Sequence, residues 1–259
     1  MQITREFRFF LRPGVHPEKC HNTWSGRSSG MEIAPYLELR LTIAGPVSKS
    51  TGYLCDIRDL DRALLESIQD ATTNPEDSRQ LRYDSLLCRL FEAVPSKLPA
   101  QIVPVRLEMS VSPQLSLTVS REYPDMILWT QQSEFSASHR LHCPDLSDEE
   151  NKTLFGKCNN PAGHGHNYVV EVTLRCPERD GEMESFLPGD FERKISDSVI
   201  QRLDHKNLNV DVPEFSEMNP SVENIVALIW SWLEKELDPV VLHNVRLYET
   251  QKTWADCSG

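Results

Sequence analysis

The stretch Phe155-Gly156-Lys157-Cys158-Asn159-Asn160-Pro161-Ala162-Gly163-His164-Gly165-His166-Asn167-Tyr168 runs directly into Val169-Val170-Glu171-Val172-Thr173-Leu174-Arg175. The second part reads as a strand, with Val170, Val172 and Leu174 alternating on one face. The first part packs a thiol and two histidines close together. In extended chain, residues two apart point to the same side, so His164 and His166 can grip one ion. Upstream, Phe135-Ser136-Ala137-Ser138-His139-Arg140-Leu141 supplies a third histidine. Three neutral imidazoles with an open fourth position make the coordination set of a catalytic zinc, whereas a structural zinc closes its shell with four protein ligands. A solitary His-x-His pair is common by chance; its neighbours make this one informative.

Further out, Leu203-Asp204-His205-Lys206-Asn207-Leu208-Asn209 sets a carboxylate directly before a histidine. Ser221-Val222-Glu223-Asn224-Ile225 and Val245-Arg246-Leu247-Tyr248-Glu249-Thr250 follow. In this order the five segments resemble the 6-pyruvoyl-tetrahydropterin synthase family, over roughly residues 130–255. The resemblance implies conversion of 7,8-dihydroneopterin triphosphate to 6-pyruvoyl-tetrahydropterin with loss of triphosphate. It also implies a zinc ion held by His139, His164 and His166, with Cys158 as catalytic base. Asp204 and His205 then form a proton relay, Glu249 is the pterin anchor, and Glu223 is a second substrate-side glutamate. Read by itself, Glu223 is equally a first-turn carboxylate favouring a helix dipole. Two positions depart from the family pattern: Val222, where relatives often carry threonine, and Ala162 in the loop before the histidine pair. Within the same superfamily the competing reaction is that of 6-carboxy-tetrahydropterin synthase, which shares the zinc and the base. A side-chain-cleaving relative fits less well, because Cys158 is intact. Outside catalysis, the alternative is a metal-binding or assembly protein.

The chain of 259 residues holds one large domain or two ordinary ones, and 39% hydrophobic with 25% charged residues is a soluble globular balance. A net charge of −12 argues against non-specific nucleic-acid binding and offers no general attraction for a triphosphate. Local cations would have to hold such a substrate. Lys157 and Lys206 are candidates, each equally readable as a solvated surface lysine. No apolar run approaches the ~20 residues that span a bilayer. Residues 1–7 lack the apolar core of a signal peptide. Seven cysteines without small-scaffold spacing argue against a disulfide framework, so a cytoplasmic location is expected.

The pattern occurs twice. In the C-terminal half, strands at 126–138 and 168–175 precede helices at 191–203 and 222–237, then strands at 245–250 and from Lys252. The first helix carries Phe191, Ile195, Val199 and Leu203 at fourfold spacing, and Ser221 is the expected N-cap of the second. In the N-terminal half, strands at 6–12 and 36–43 precede helices at 59–71 and 83–94, then strands at 103–110 and 114–120. Tyr36-Leu37-Glu38-Leu39 is set against Tyr168-Val169-Val170-Glu171, and Val105-Arg106-Leu107-Glu108 against Val245-Arg246-Leu247-Tyr248. The expected architecture is α+β: tandem ββααββ units with antiparallel sheets and helices on one face, bounded near residues 120–125 as domains 1–122 and 123–259. The family's tunnelling fold is such a unit, joined with its neighbours into an oligomeric barrel. That implies a homo-oligomer, most simply a trimer of tandem chains. The first copy has lost the chemistry: Leu11 stands for His139, residues 31–34 replace His-Gly-His, and Met109 takes the place of Glu249. His16, Cys20 and His21 remain in its loop, at a spacing that matches no known metal motif.

Overall fold

The computed structural model describes residues 1–10, 36–72, 82–177, 188–237 and 240–259. Leu11, His16, Cys20, His21 and residues 31–34 lie outside the described residues. The chain forms two compact units, Met1–Trp129 and Thr130–Gly259.

In the first unit, β1 (Gln2–Phe10), β2 (Tyr36–Ala44), β3 (Val103–Ser110) and β4 (Leu115–Ser120) neighbour one another in chain order, all antiparallel. The two-residue period puts Phe7, Phe9, Leu37, Leu39, Leu41 and Ile43 on one buried face. Against this sheet α1 (Ile57–Thr72) packs on β1 and α2 (Tyr83–Ala93) packs on β3 and β4. Leu60, Leu64, Leu86, Leu87 and Leu90 of these helices are fully buried. Each such side chain contributes about 1.5–3 kcal/mol of transfer free energy. The other sheet face is polar, where Arg40 bridges Glu6, Glu38 and Glu108. The first strand starts at Gln2 rather than Glu6, because β2 runs on to Ala44 and gives Gln2 a partner.

In the second unit, β5 (Met126–His139, which begins before the division), β6 (His164–Pro177), β8 (Val241–Thr250) and β9 (Thr253–Ser258) lie in that order. The short β7 (Lys206–Asn207) runs parallel to β5 at Ala137 and Ser138. Between β5 and β6 lies α3 (Asp148–Phe155), which the ββααββ pattern omitted. Its signal was present in Ser147 and Glu150, which form a reciprocal capping box. The next helix is α4 (Pro188–Ile195), which continues through a π turn at Ser196–Ile200 to Gln201–Leu203. Strict fourfold spacing drifts by about 40° per step in a 3.6-residue helix. The wider π turn takes that drift back, so Phe191, Ile195, Val199 and Leu203 are all fully buried. After β7 come α5 (Leu208–Asp211) and α6 (Val222–Glu236), the latter capped by Ser221 and packed on β8 and β9.

The two copies match in a different register from the one the sequence offered. Leu37, Leu39, Leu41 and Ile43 are buried as Tyr168, Val170, Val172 and Leu174 are, whereas Tyr36 is 42% exposed. Both second strands slip register at matching places, Thr42/Ile43 and Thr173/Leu174. The Thr4–Thr42 hydroxyl pair also recurs as Thr130–Thr173. Leu37, not Tyr36, is therefore the counterpart of Tyr168; a one-residue slip would have turned every side chain to the wrong face. In this register Leu39 pairs with Met109 as Val170 pairs with Leu247. Val111, rather than Met109, then stands in the place of Glu249.

Candidate metal centre and active site

The site is built around the end of β5. His139 is its last residue, 0% exposed, with Nδ1 2.7 Å from the Pro220 carbonyl. That carbonyl can only accept, so Nδ1 carries the proton and Nε2 keeps the lone pair. The buried Tyr168 hydroxyl lies 3.4 Å from the same Nδ1, and its ring stacks on Phe135 at 5.0 Å. His164 and His166 open β6 on one face. The preceding Gly163 has φ +72°, and a Cβ there would lie 3.1 Å from the His139 carbonyl oxygen. Glycine thus lets the start of β6 approach the end of β5.

The Nε2 atoms of His139 and His164 are 3.2 Å apart, and one ring nitrogen from each of His139, His164 and His166 falls within 4.8 Å of the others. Burial pushes His139 down from its ordinary value against the opposing pull of Pro220; burial and then His166 push His164 down. Both shifts favour neutral imidazole, the form that ligates. Among the described residues, His164 Nδ1 and His166 Nε2 are buried polar atoms with no hydrogen-bond partner, an arrangement that costs free energy unless a further group completes it. The donor set therefore fits a divalent metal. Glu249 joins from β8, with Oε1 3.4 Å from His139 Nε2 and 3.6 Å from His166 Nε2.

Cys158 sits on the 3-10 turn Gly156–Asn159 that follows α3. Three bonds staple this turn to the residues after His139. Leu141 N–H donates to the Cys158 carbonyl (2.9 Å), Asn159 Nδ2 to the Leu141 carbonyl (2.7 Å), and Arg140 Nε to the Asn159 carbonyl (3.1 Å). Burial, and secondly Glu249, push the half-buried thiol up.

Asp204 and His205 dock on Ser136 of β5. Ser136 N–H donates to Asp204 Oδ1 at 2.8 Å, and His205 N–H to the Ser136 carbonyl at 2.6 Å. Asp204 Oδ2 takes His205 Nδ1 at 2.7 Å, leaving Nε2 as the basic nitrogen of a ring whose side chain is 84% exposed. The Ser136 amide first, then His205, hold the Asp204 carboxyl below its ordinary value. His205 has φ +57°, a left-handed conformation that costs free energy and needs surrounding support. Further along the same segment, Asn209 ties the chain to the end of β5, its side chain bonding both the N–H (2.7 Å) and the carbonyl (3.0 Å) of Arg140.

Of the residues picked from the sequence, His139, His164, His166 and Glu249 cluster directly. Cys158 and the Asp204–His205 pair are tied to the same strand end. Glu223 lies exposed on the first turn of α6, outside this cluster. Lys157 is exposed and Lys206 half-buried. Tyr168 has a sequence signal too, since it continues the two-residue period of His164 and His166. Pro220 and Asn209 gave none, because one acts through its carbonyl and the other through the neighbouring backbone.

An antiparallel sheet backed by helices, with three histidines, a thiol and an Asp–His pair gathered at one strand end, defines an α+β protein with a candidate metal-centred active site. Residues 129–259 match the family model described as 6-pyruvoyl tetrahydropterin synthase, and the chain belongs to that family. It is 47% identical over 121 residues to the 6-pyruvoyl tetrahydrobiopterin synthase of Homo sapiens, covering 45% of this chain and 80% of that protein. A solved structure of the Caenorhabditis elegans 6-pyruvoyl tetrahydropterin synthase is 36% identical, covering 52% of this chain and 96% of that one, at a TM-score of 0.48. Uricase from Arthrobacter globiformis aligns over 100% of this chain and 93% of its own, at 7% identity and a TM-score of 0.53. The uricase likeness is one of fold alone. Among the described residues no helix is long and apolar enough to cross a membrane, and six cysteines are free thiols.

Proposed function

We propose that the second unit converts 7,8-dihydroneopterin triphosphate to 6-pyruvoyl-tetrahydropterin, eliminating triphosphate, in a zinc-dependent reaction without an external redox cofactor. The observation that carries this reading is the His139–His164–His166 cluster, with ligating nitrogens within 4.8 Å, inside a segment matching the family model. Zinc held by these three residues supplies Lewis-acid polarisation of side-chain oxygens and a positive charge favouring thiolate.

The remaining work falls to the chain. Cys158 takes a proton from a side-chain carbon bearing a hydroxyl. Burial and Glu249 oppose its ionisation, so the thiol needs the local positive charge that a metal and a protonated His205 provide. His205 accepts and returns protons at Nε2, while Asp204 fixes its tautomer and stabilises the imidazolium. The Glu249 carboxylate receives the paired donors of the pterin's amino-pyrimidinone edge. Glu223 serves as a second substrate contact from α6, and Lys157 and Lys206 are the candidate triphosphate cations. The first unit is a non-catalytic scaffold, and the free thiols fit a reducing, cytoplasmic setting.

The decisive experiment is incubation with dihydroneopterin triphosphate followed by mass analysis of the pterin, with His164→Ala in parallel. The pyruvoyl product should form with the wild-type chain, and His164→Ala should lose both metal and turnover. A carboxy product would move the assignment to 6-carboxy-tetrahydropterin synthase. Full metal content and activity in His164→Ala would remove the metal assignment.

A further inference from the structure

Resting on the metal reading above, we propose that Asn219 is a positioning residue for the metal centre, fixing the Pro220 carbonyl that holds the His139 ring. A fully buried imidazole has no water to choose its tautomer. For His139 the Pro220 carbonyl makes that choice, at 2.7 Å from Nδ1, and so keeps the Nε2 lone pair for the cluster. The carbonyl is useful only if it stays in place, and Asn219 braces it on two sides. Its side-chain Oδ1 accepts the His142 N–H at 2.9 Å, tying the loop to the segment that follows His139. Its own carbonyl accepts Asn224 Nδ2 at 2.8 Å and the Ser221 N–H at 2.8 Å, tying the loop to the start of α6. Pro220 between these anchors is buried and has a fixed φ. Releasing the brace frees the carbonyl, and the ring can then turn or present N–H, rather than a lone pair, to the other histidines. The same short loop leads into α6, whose first turn carries Glu223, so metal orientation and the start of α6 are mechanically joined.

The test uses the full chain and zinc itself, by competition with a chromophoric chelator, together with the visible spectrum of the cobalt-loaded protein and a urea unfolding curve. Asn219→Ala should bind zinc about 10-fold or more weakly, the usual scale for losing support behind a ligand. Its cobalt spectrum should change while the unfolding midpoint stays near wild type. Asn219→Asp keeps the acceptor oxygen and should restore most of the affinity. Wild-type affinity in Asn219→Ala overturns the proposal. So does equal loss in the Ala and Asp variants accompanied by a lowered unfolding midpoint, since Asn219 would then merely support the fold. If Asn219→Ala does not fold, Asn224→Ala decides: it removes only the brace behind Asn219, and unchanged zinc affinity there counts against the proposal. A wild-type chain that binds neither zinc nor cobalt overturns the metal reading as well. Binding by wild type and Asn219→Ala alike overturns this inference alone.

Discussion

At the scale of single residues, the proposed site separates holding a metal from moving protons. Cys158 is tied through its backbone carbonyl to Leu141, a bond that does not need its thiol. Cys158→Ala should therefore leave folding and zinc content unchanged while lowering turnover at least a hundredfold, on the scale of general acid–base contributions. Metal analysis and single-turnover kinetics check this, and normal turnover would place the base elsewhere. Asp204 makes a prediction about pH. Its folded carboxyl is held below the ordinary value by the Ser136 amide and His205, so its charge stabilises the native state above the unfolded pKa of about 3.9. That contribution is lost as pH falls through the depressed folded value. The stability gap between wild type and Asp204→Asn should be widest near neutrality and close in acid. Urea unfolding at several pH values measures it, and a gap that widens in acid would reverse the sign.

At the scale of elements, the residues most legible in the sequence are those whose own side chains do the work at a fixed period. Val170, Val172 and Leu174 announced β6, and Ser221 announced the start of α6. The sequence misleads where a neighbour decides the outcome. Tyr36 looks like Tyr168, but register is set by strand pairing and a shared bulge, which a chemical likeness between tyrosines does not report. The π turn in α4 exists because tertiary burial holds four apolar residues on one line against the natural drift of a helix. Helix α3 is hard to read from periodicity because its apolar content is low; Ser147 and Glu150 at its N-terminus mark it better than its middle. Gly163 joins the two levels, being both a turn residue and the gap through which β6 reaches β5. Gly163→Ala should destabilise the second unit by about 1–3 kcal/mol, from positive φ and crowding against the His139 carbonyl. Zinc affinity should fall with it, because His164 is the next residue. Thermal unfolding and chelator competition test the pair; unchanged values in both would show that the loop tolerates a side chain.

At the scale of the whole molecule, the question is how many sites and how many chains the fold requires. Among the described residues, β1 in the first unit and β9 in the second each have one pairing partner. β9 also exposes Trp254. Such edges invite pairing with another chain unless they are covered. A single chain offers two units, and the tunnelling fold it resembles closes its barrels from several. The expected assembly is therefore a homo-oligomer, most simply three chains contributing six units. Among the described residues the metal-ligand group lies in the second unit alone, and Val111 occupies the place of Glu249 in the first. We expect one zinc per chain, hence three in such a trimer rather than six. Light scattering coupled to size exclusion gives the chain number, and elemental analysis on the same peak gives the metal count. A stable monomer would show that the edges are protected within one chain. Two tightly bound zinc ions per chain would instead restore the first unit to the chemistry, and its scaffold role would then be wrong.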